Sequence, residues 1–136
     1  MFTAIPIIER TTTTLVRIRE SATATTGSAI PSAGISPPAG RRWLVQHVSA
    51  AVNFSTAPAG GDRGAASAEL VTGAVARDLV GVEVDSDFSL ARLSRGVGSN
   101  LILDENDIFQ VRADARGSSV TVIGLAILFA MEYEPF

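Results

Sequence analysis

Cysteine is absent from this chain of 136 residues. That excludes disulfide frameworks, redox dithiols and zinc–thiolate sites. Lysine is absent too. All eleven basic residues are arginine, spread from Arg10 to Arg116, and only Arg41 and Arg42 are adjacent. With no run of basic charge and few aromatics to interleave with it, the footprint of a nucleic-acid binder is missing. Histidine occurs once, at His47. A lone histidine cannot build a multi-histidine metal site, and the usual base of serine and zinc chemistry is scarce. No G-x-S-x-G elbow and no G-x-x-x-x-G-K-[ST] loop occurs. The first residues, MFTAIPIIERTTTT, lack a basic segment followed by an apolar core, so no secretory signal is read there. A membrane-spanning helix needs roughly 20 apolar residues. The most apolar stretch, Val120 to Met131, is shorter and runs into Glu132. It reads as a buried strand, and the expected product is soluble, with no membrane partner, made in the cytoplasm of the cell that expresses it.

What the chain does contain is β-branched residues, Ala, Ser and Gly in short apolar segments punctuated by turns. That is the pattern of an all-β sandwich or barrel, and the length suits one domain that folds without disulfides or metal. In LVRIRE, Val16 and Ile18 alternate with Arg17 and Arg19, a half-buried strand with an arginine-bearing face. Residues 21–40 are rich in Ser, Thr, Gly and Pro, as a linker would be, but Ile30 and Ile35 suggest short strand pieces or a loop packed on the body. Pro38-Ala39-Gly40 is turn chemistry, and a long alternating strand follows from Trp43 to Phe54. In it Leu44, Val48, Ala50, Val52 and Phe54 are assigned to one face, and Trp43, Val45, His47, Ser49 and Asn53 to the other. Residues 65–81 read as two strands joined near Gly73, with a short helix as the alternative. Val80, Val82 and Val84 alternate with Gly81, Glu83 and Asp85. Gly96 to Asn100 reads as a turn.

The acidic stretch Asp104 to Asp107 lies between apolar segments. A calcium loop of the EF-hand kind needs a glycine where Ile108 stands and a later glutamate that is missing. The stretch therefore reads as a connection between strands, with Asp and Asn accepting backbone N–H groups. The strands around it and the glycine turn at 117–119 then read as a meander. Glu83, Asp85 and Asp87 could face one side, but without an aromatic sugar platform they read as a solvated face rather than a glycosidase pair. No catalytic, cofactor or metal residue is assigned, and no cofactor is expected.

PPAGRRWLVQHVSAAVNF and LILDENDIFQVRADARGSSVTVIGLAILFAMEYE resemble the opening strand motif and the closing strands of small phage virion β-sandwich proteins. The resemblance covers most of residues 37–134. It implies a jelly-roll-like antiparallel sandwich over 13–136 with an extended N-terminal arm, 1–12. It further implies a non-enzymatic role as a capsid decoration (cement) protein, acting as a homotrimer on the major capsid protein or another virion protein at the capsid surface. A tail-fibre or receptor- and carbohydrate-binding accessory module is the alternative. Contact residues under this reading are Ile5, Ile7 and Ile8 in the arm, Arg41, Arg42, Trp43 and His47 on the long strand, and Tyr133 and Phe136 at the end. Apolar residues on both faces of 120–131 suggest burial on both sides.

Overall fold

A computed structural model of the chain describes residues 13–86, 92–98, 100–118 and 120–135. Every regular element among them is a strand. In chain order these are β1 (Thr13–Thr25), β2 (Ser28–Pro31), β3 (Arg42–Phe54), β4 (Arg63–Thr72), β5 (Val75–Asp85), β6 (Arg92–Gly98), β7 (Ile102–Leu103), β8 (Asp107–Arg116) and β9 (Thr121–Tyr133). They make two sheets. The first runs β1–β9–β3–β6, with β7 also on β3; the second runs β2–β8–β4–β5.

The pairing is that of one long hairpin rolled up. Its tip is the turn between β4 and β5, where Gly73 takes a φ of 62° and Ala74 does not share the positive sign. Glycine at the first central position of a two-residue turn matches the twist of the flanking strands, which is why 65–81 forms two strands and no helix. Outward from the tip, β3 meets β6 and β7, β2 meets β8, and β1 meets β9, all antiparallel. Rolling this ribbon brings β9 against β3 and β8 against β4. The result is a jelly roll, the fold class expected. The arm and the contact residues Ile5, Ile7, Ile8 and Phe136 lie outside the described residues, as does Asp87.

Three local expectations are corrected. The closing strands are not a meander: β7, β8 and β9 alternate between sheets, because each pairs with the strand that the roll brings to it rather than with its chain neighbour. Gly96 is not in a turn but inside β6, opposite Ser49. A Cβ there would collide with the end of the His47 imidazole, which would have to swing aside to admit a larger residue. In β3 the register on β9 shifts between Val45 and His47. The extra residue, Gln46, flips the alternation. Trp43 and Val45 therefore face the same way as Val48, Ala50 and Val52, into the core.

That core lies between the sheets. Phe109, Leu103, Leu128, Val45, Val48, Val52, Val111 and Val122 are its largest fully buried apolar side chains. Its centre is built from small residues. A Cβ on Gly124 would sit 3.0 Å from the Ala66 methyl and 3.2 Å from that of Ala113. The sheets approach closely there because β4, β8 and β9 each supply a small side chain at one level.

Candidate interaction surfaces

β9 is flanked on both sides by strands, so both its faces are set by the sheet. Its core-facing residues, Val122, Ala126, Leu128 and Ala130, are fully buried. Its outward row is Ile123, Leu125, Ile127, Phe129 and Met131, again apolar. Among the described residues this second row is covered only in part: Phe129 is 41% exposed and Ile123 37%, while Leu125, Ile127 and Met131 are half-buried. Burial on both sides, expected from the sequence, is thus met within the chain on one face only. At the level of Met131 the apolar surface widens across the sheet. Leu15 of β1 and Leu44 of β3 pair with Met131, and Ile102 of β7 pairs with Leu44. Leu15 is 76% exposed and Ile102 50%.

The margins of this face are polar. β1 contributes Arg17 beside Phe129 and Arg19 beside Ile127, both exposed. β3 contributes His47 opposite Phe129, the two rings 6.4 Å apart between centroids and tilted at 49°, then Ser49 opposite Ile127. No carboxylate stands in these outward rows between residues 15–23, 44–53 and 121–131. Tyr133 and Arg42 pair at the end of the same sheet, with Arg42 exposed and Tyr133 half-buried. Arg41 opens the strand, its N–H donating to the Pro38 carbonyl at 2.9 Å to close the expected Pro-Ala-Gly turn. Trp43 stands apart from this group. It is 2% exposed and its indole N–H donates to Glu132 at 2.8 Å, so it is a core residue and not a surface contact.

The outer face of the second sheet has the opposite character. Arg63, Ala65, Glu83, Asp85, Asp114 and Arg116 line a shallow groove of about 380 Å³ over the small residues of β4. Farther along β4, Glu69 is buried and accepts from the Gln110 amide at 2.8 Å and from the Arg112 guanidinium at 3.3 Å. A register shift between Ala68 and Glu69 sets Asp78 of β5 opposite Glu69. Loss of water pushes the Asp78 carboxyl above the usual carboxylate range. The hydrogen bond and negative charge of Glu69 push it the same way, and Arg112 opposes them. Neither Glu69 nor Asp78 is singled out by sequence pattern, because the bulge that joins them is silent in the alternation.

An acid whose pKa is raised by folding holds its proton more tightly in the folded chain. Stability then falls as pH rises from the ordinary value through the raised one. Asp78→Asn removes that slope and can still donate to Glu69. Calorimetry should show a melting temperature higher by about 1–3 °C near neutral pH, and little change near pH 3, where Asp78 is protonated in both states.

The acidic turn behaves as a connection. Asp104 accepts from the Asn106 N–H at 2.8 Å, and Asp107 accepts from the Asp104 N–H at 3.0 Å and from the Thr72 hydroxyl at 2.7 Å. Among the described residues no three His, Asp or Glu side chains are grouped to hold a metal ion. No helix among them is long and apolar enough to cross a membrane.

No family model matches the chain, and no curated protein does. Among solved structures it is similar to a subunit of Bacillus endospore appendages, a family of disulfide-linked pili, at 13% identity and a TM-score of 0.44 over 92% of each chain. FlhE gives 10% identity and a TM-score of 0.39 over 85% of this chain and 96% of that one. An infectious bursal disease virus protein of the Gx strain gives 9% identity and 0.38, over 92% of this chain but 36% of the viral one. Likeness at these scores carries no argument about what the chain does.

Proposed function

We propose that this chain is a non-enzymatic structural protein of a phage virion, a capsid decoration protein that binds and stabilises the capsid lattice. The observation that carries the reading is the partly exposed apolar row on the outward face of β9. A single chain leaves a central strand apolar on its outward face when another surface covers it in use, since exposed apolar patches of this kind mark contact sites. The phage assignment is supported by the resemblance over most of residues 37–134. Under this reading Ile5, Ile7 and Ile8 of the arm 1–12 supply further apolar contacts. Arg41, Arg42, His47, Tyr133 and Phe136 are the further contacts under it; Arg42 pairs with Tyr133 where β1 begins, and His47 lies farther along β3 opposite Phe129.

A second reading, a receptor- or glycan-binding accessory module, draws on the groove between Glu83, Asp85, Asp114 and Arg116. It is the weaker of the two. No aromatic side chain among the described residues lines that groove, and sugar sites rely on aromatic platforms.

The test is immunogold negative-stain microscopy of gradient-purified particles from the infected host, using antibody to this chain. Label distributed over heads is the expected result. Label at tail tips favours the second reading, and label on no particle overturns both.

A further inference from the structure

From the arrangement of the first sheet we infer that its outer face is a two-fold contact between copies of this chain, with β9 of each copy lying over β3 of the other. The inference rests on the reading of that face as adhesive and names what covers it.

Size is the first argument. The face spans about four strands at about 4.8 Å spacing and about ten residues at about 3.4 Å each. That is on the order of 600 Å² per copy, or about 1,200 Å² when two copies meet. Specific interfaces begin at about 1,000 Å² in total, so the face is large enough for a pair.

Relief is the second. β9 raises a ridge of Leu125, Ile127, Phe129 and Met131. The strand beside it is low along half of that ridge: β3 presents Ser49 and Ala51 opposite Ile127 and Leu125, and β6 sets Gly96 beside Ser49, while His47 and Leu44 stand opposite Phe129 and Met131. A ridge one strand away from a step complements itself under a two-fold axis that runs along the strands between β9 and β3. Aligned sheets pack at about −30° because each is twisted, which is the geometry such an axis produces.

Charge selects the axis. An axis in the interface plane but across the strands would stack β1 on β1 and set the Arg17 and Arg19 rows against each other, with no carboxylate between them. The axis along the strands carries Arg17 and Arg19 to the far side of the partner, toward β6 and its glycines. The same arrangement seats the broad apolar rung of Leu15, Met131, Leu44 and Ile102 within the contact instead of at its rim. An isologous contact closes after two copies. The assembly is therefore a dimer, or a pair of trimers if a three-fold contact also exists, and not an isolated trimer.

Light scattering coupled to gel filtration, on the full chain at about 100 μM, measures this directly. The expected mass is an even multiple of the 14.2 kDa chain. Phe129→Asp and, separately, Leu15→Asp should each halve it. Both side chains are exposed in the single copy, so both variants should keep the strand circular dichroism of the parent. A wild-type monomer or trimer overturns the inference, and so do folded variants that keep the parental mass. Virions grown with the Phe129→Asp chain separate the two claims. If the wild type is monomeric and the variant fails to co-purify with particles, the face meets the capsid, the two-fold contact is wrong and the structural role stands. If the mass halves but neither protein co-purifies with particles, the contact stands and the virion role falls.

Discussion

Phe109→Ala is expected to destabilise the fold by about 3–5 kcal/mol, the range for removing a fully buried aromatic side chain. Phe109 is 0% exposed. It sits on β8, opposite Leu70 of β4. Its backbone is tied as well: the N–H donates to the Ile35 carbonyl at 2.8 Å, and its own carbonyl accepts from the Ile35 N–H at 2.9 Å. That bridge brings the 32–36 segment alongside β8. Alanine would leave a cavity that a ring-sized collapse cannot close, because the neighbouring strands are fixed on both sides by their ladders. Domains of this size are stable by about 5–15 kcal/mol, so the variant should stand near its unfolding threshold. Urea unfolding followed by tryptophan fluorescence checks it, since Trp43 is the single reporter and lies in the same core. Phe129→Ala, on the outer face, should cost far less in the isolated chain. Equal losses at the two positions would mean that the outer face is covered within one copy.

Those two phenylalanines show how far the sequence can be read. Each lies on an alternating strand beside aliphatic neighbours, and nothing local says which is core and which is surface. The all-β class was legible, because period-2 alternation and glycine turns are local properties. So was the β4–β5 hairpin, since Gly73 supplies the positive φ that the turn needs. Sheet membership was not legible. In a rolled hairpin the partner of β9 is β1 at the other end of the chain, and alternation says only which residues share a face. The face assignments in β3 failed at a single residue, Gln46, because one extra residue inverts everything on one side of it. Trp43 moved from surface to core for that reason alone.

The candidate surface was half legible. Apolar residues at both parities of 120–131 announced that β9 would be buried on two sides, and the structure covers one of them. The second sheet's polar groups were hidden. Glu69 looks like an ordinary outward residue of β4 until Gln110, Arg112 and Asp78 converge on it from two neighbouring strands. The two sheets thus present unlike outer faces, one apolar with an arginine margin and one rich in carboxylates. A jelly roll used as an adhesive module needs such a difference, because it decides which side meets a partner and which stays in water.

Asp62→Ala is expected to lower the melting temperature by about 5–10 °C, as follows from losing several hydrogen bonds to a charged group in a domain of this length. Asp62 lies in the glycine-rich loop before β4 and is fully buried. One carboxylate oxygen accepts from the Ala59 N–H at 2.8 Å, and the other accepts from the Ser118 N–H at 2.9 Å and from its hydroxyl at 3.4 Å. It therefore pins two loops that are 56 residues apart in the chain. Gly117 makes the approach possible: its φ is 136°, and a Cβ there would overlap the Asp62 carboxylate. The backbone N–H of Ala59, then that of Ser118, holds the Asp62 carboxyl below its ordinary value of 3.8, against the opposing effect of burial. A carboxyl whose pKa is depressed by folding contributes stability that is fully present above its unfolded value and is lost as pH falls through the folded one. As pH falls below the ordinary carboxyl value the parent should therefore lose stability more steeply than Asp62→Ala, and the two melting curves should draw together. Asp62→Asn sharpens the point. It keeps the shape but turns an amide donor toward backbone N–H groups that are donors themselves, so it should not rescue the alanine loss. Full rescue by asparagine would mean that packing, and not the negative charge, holds the loops.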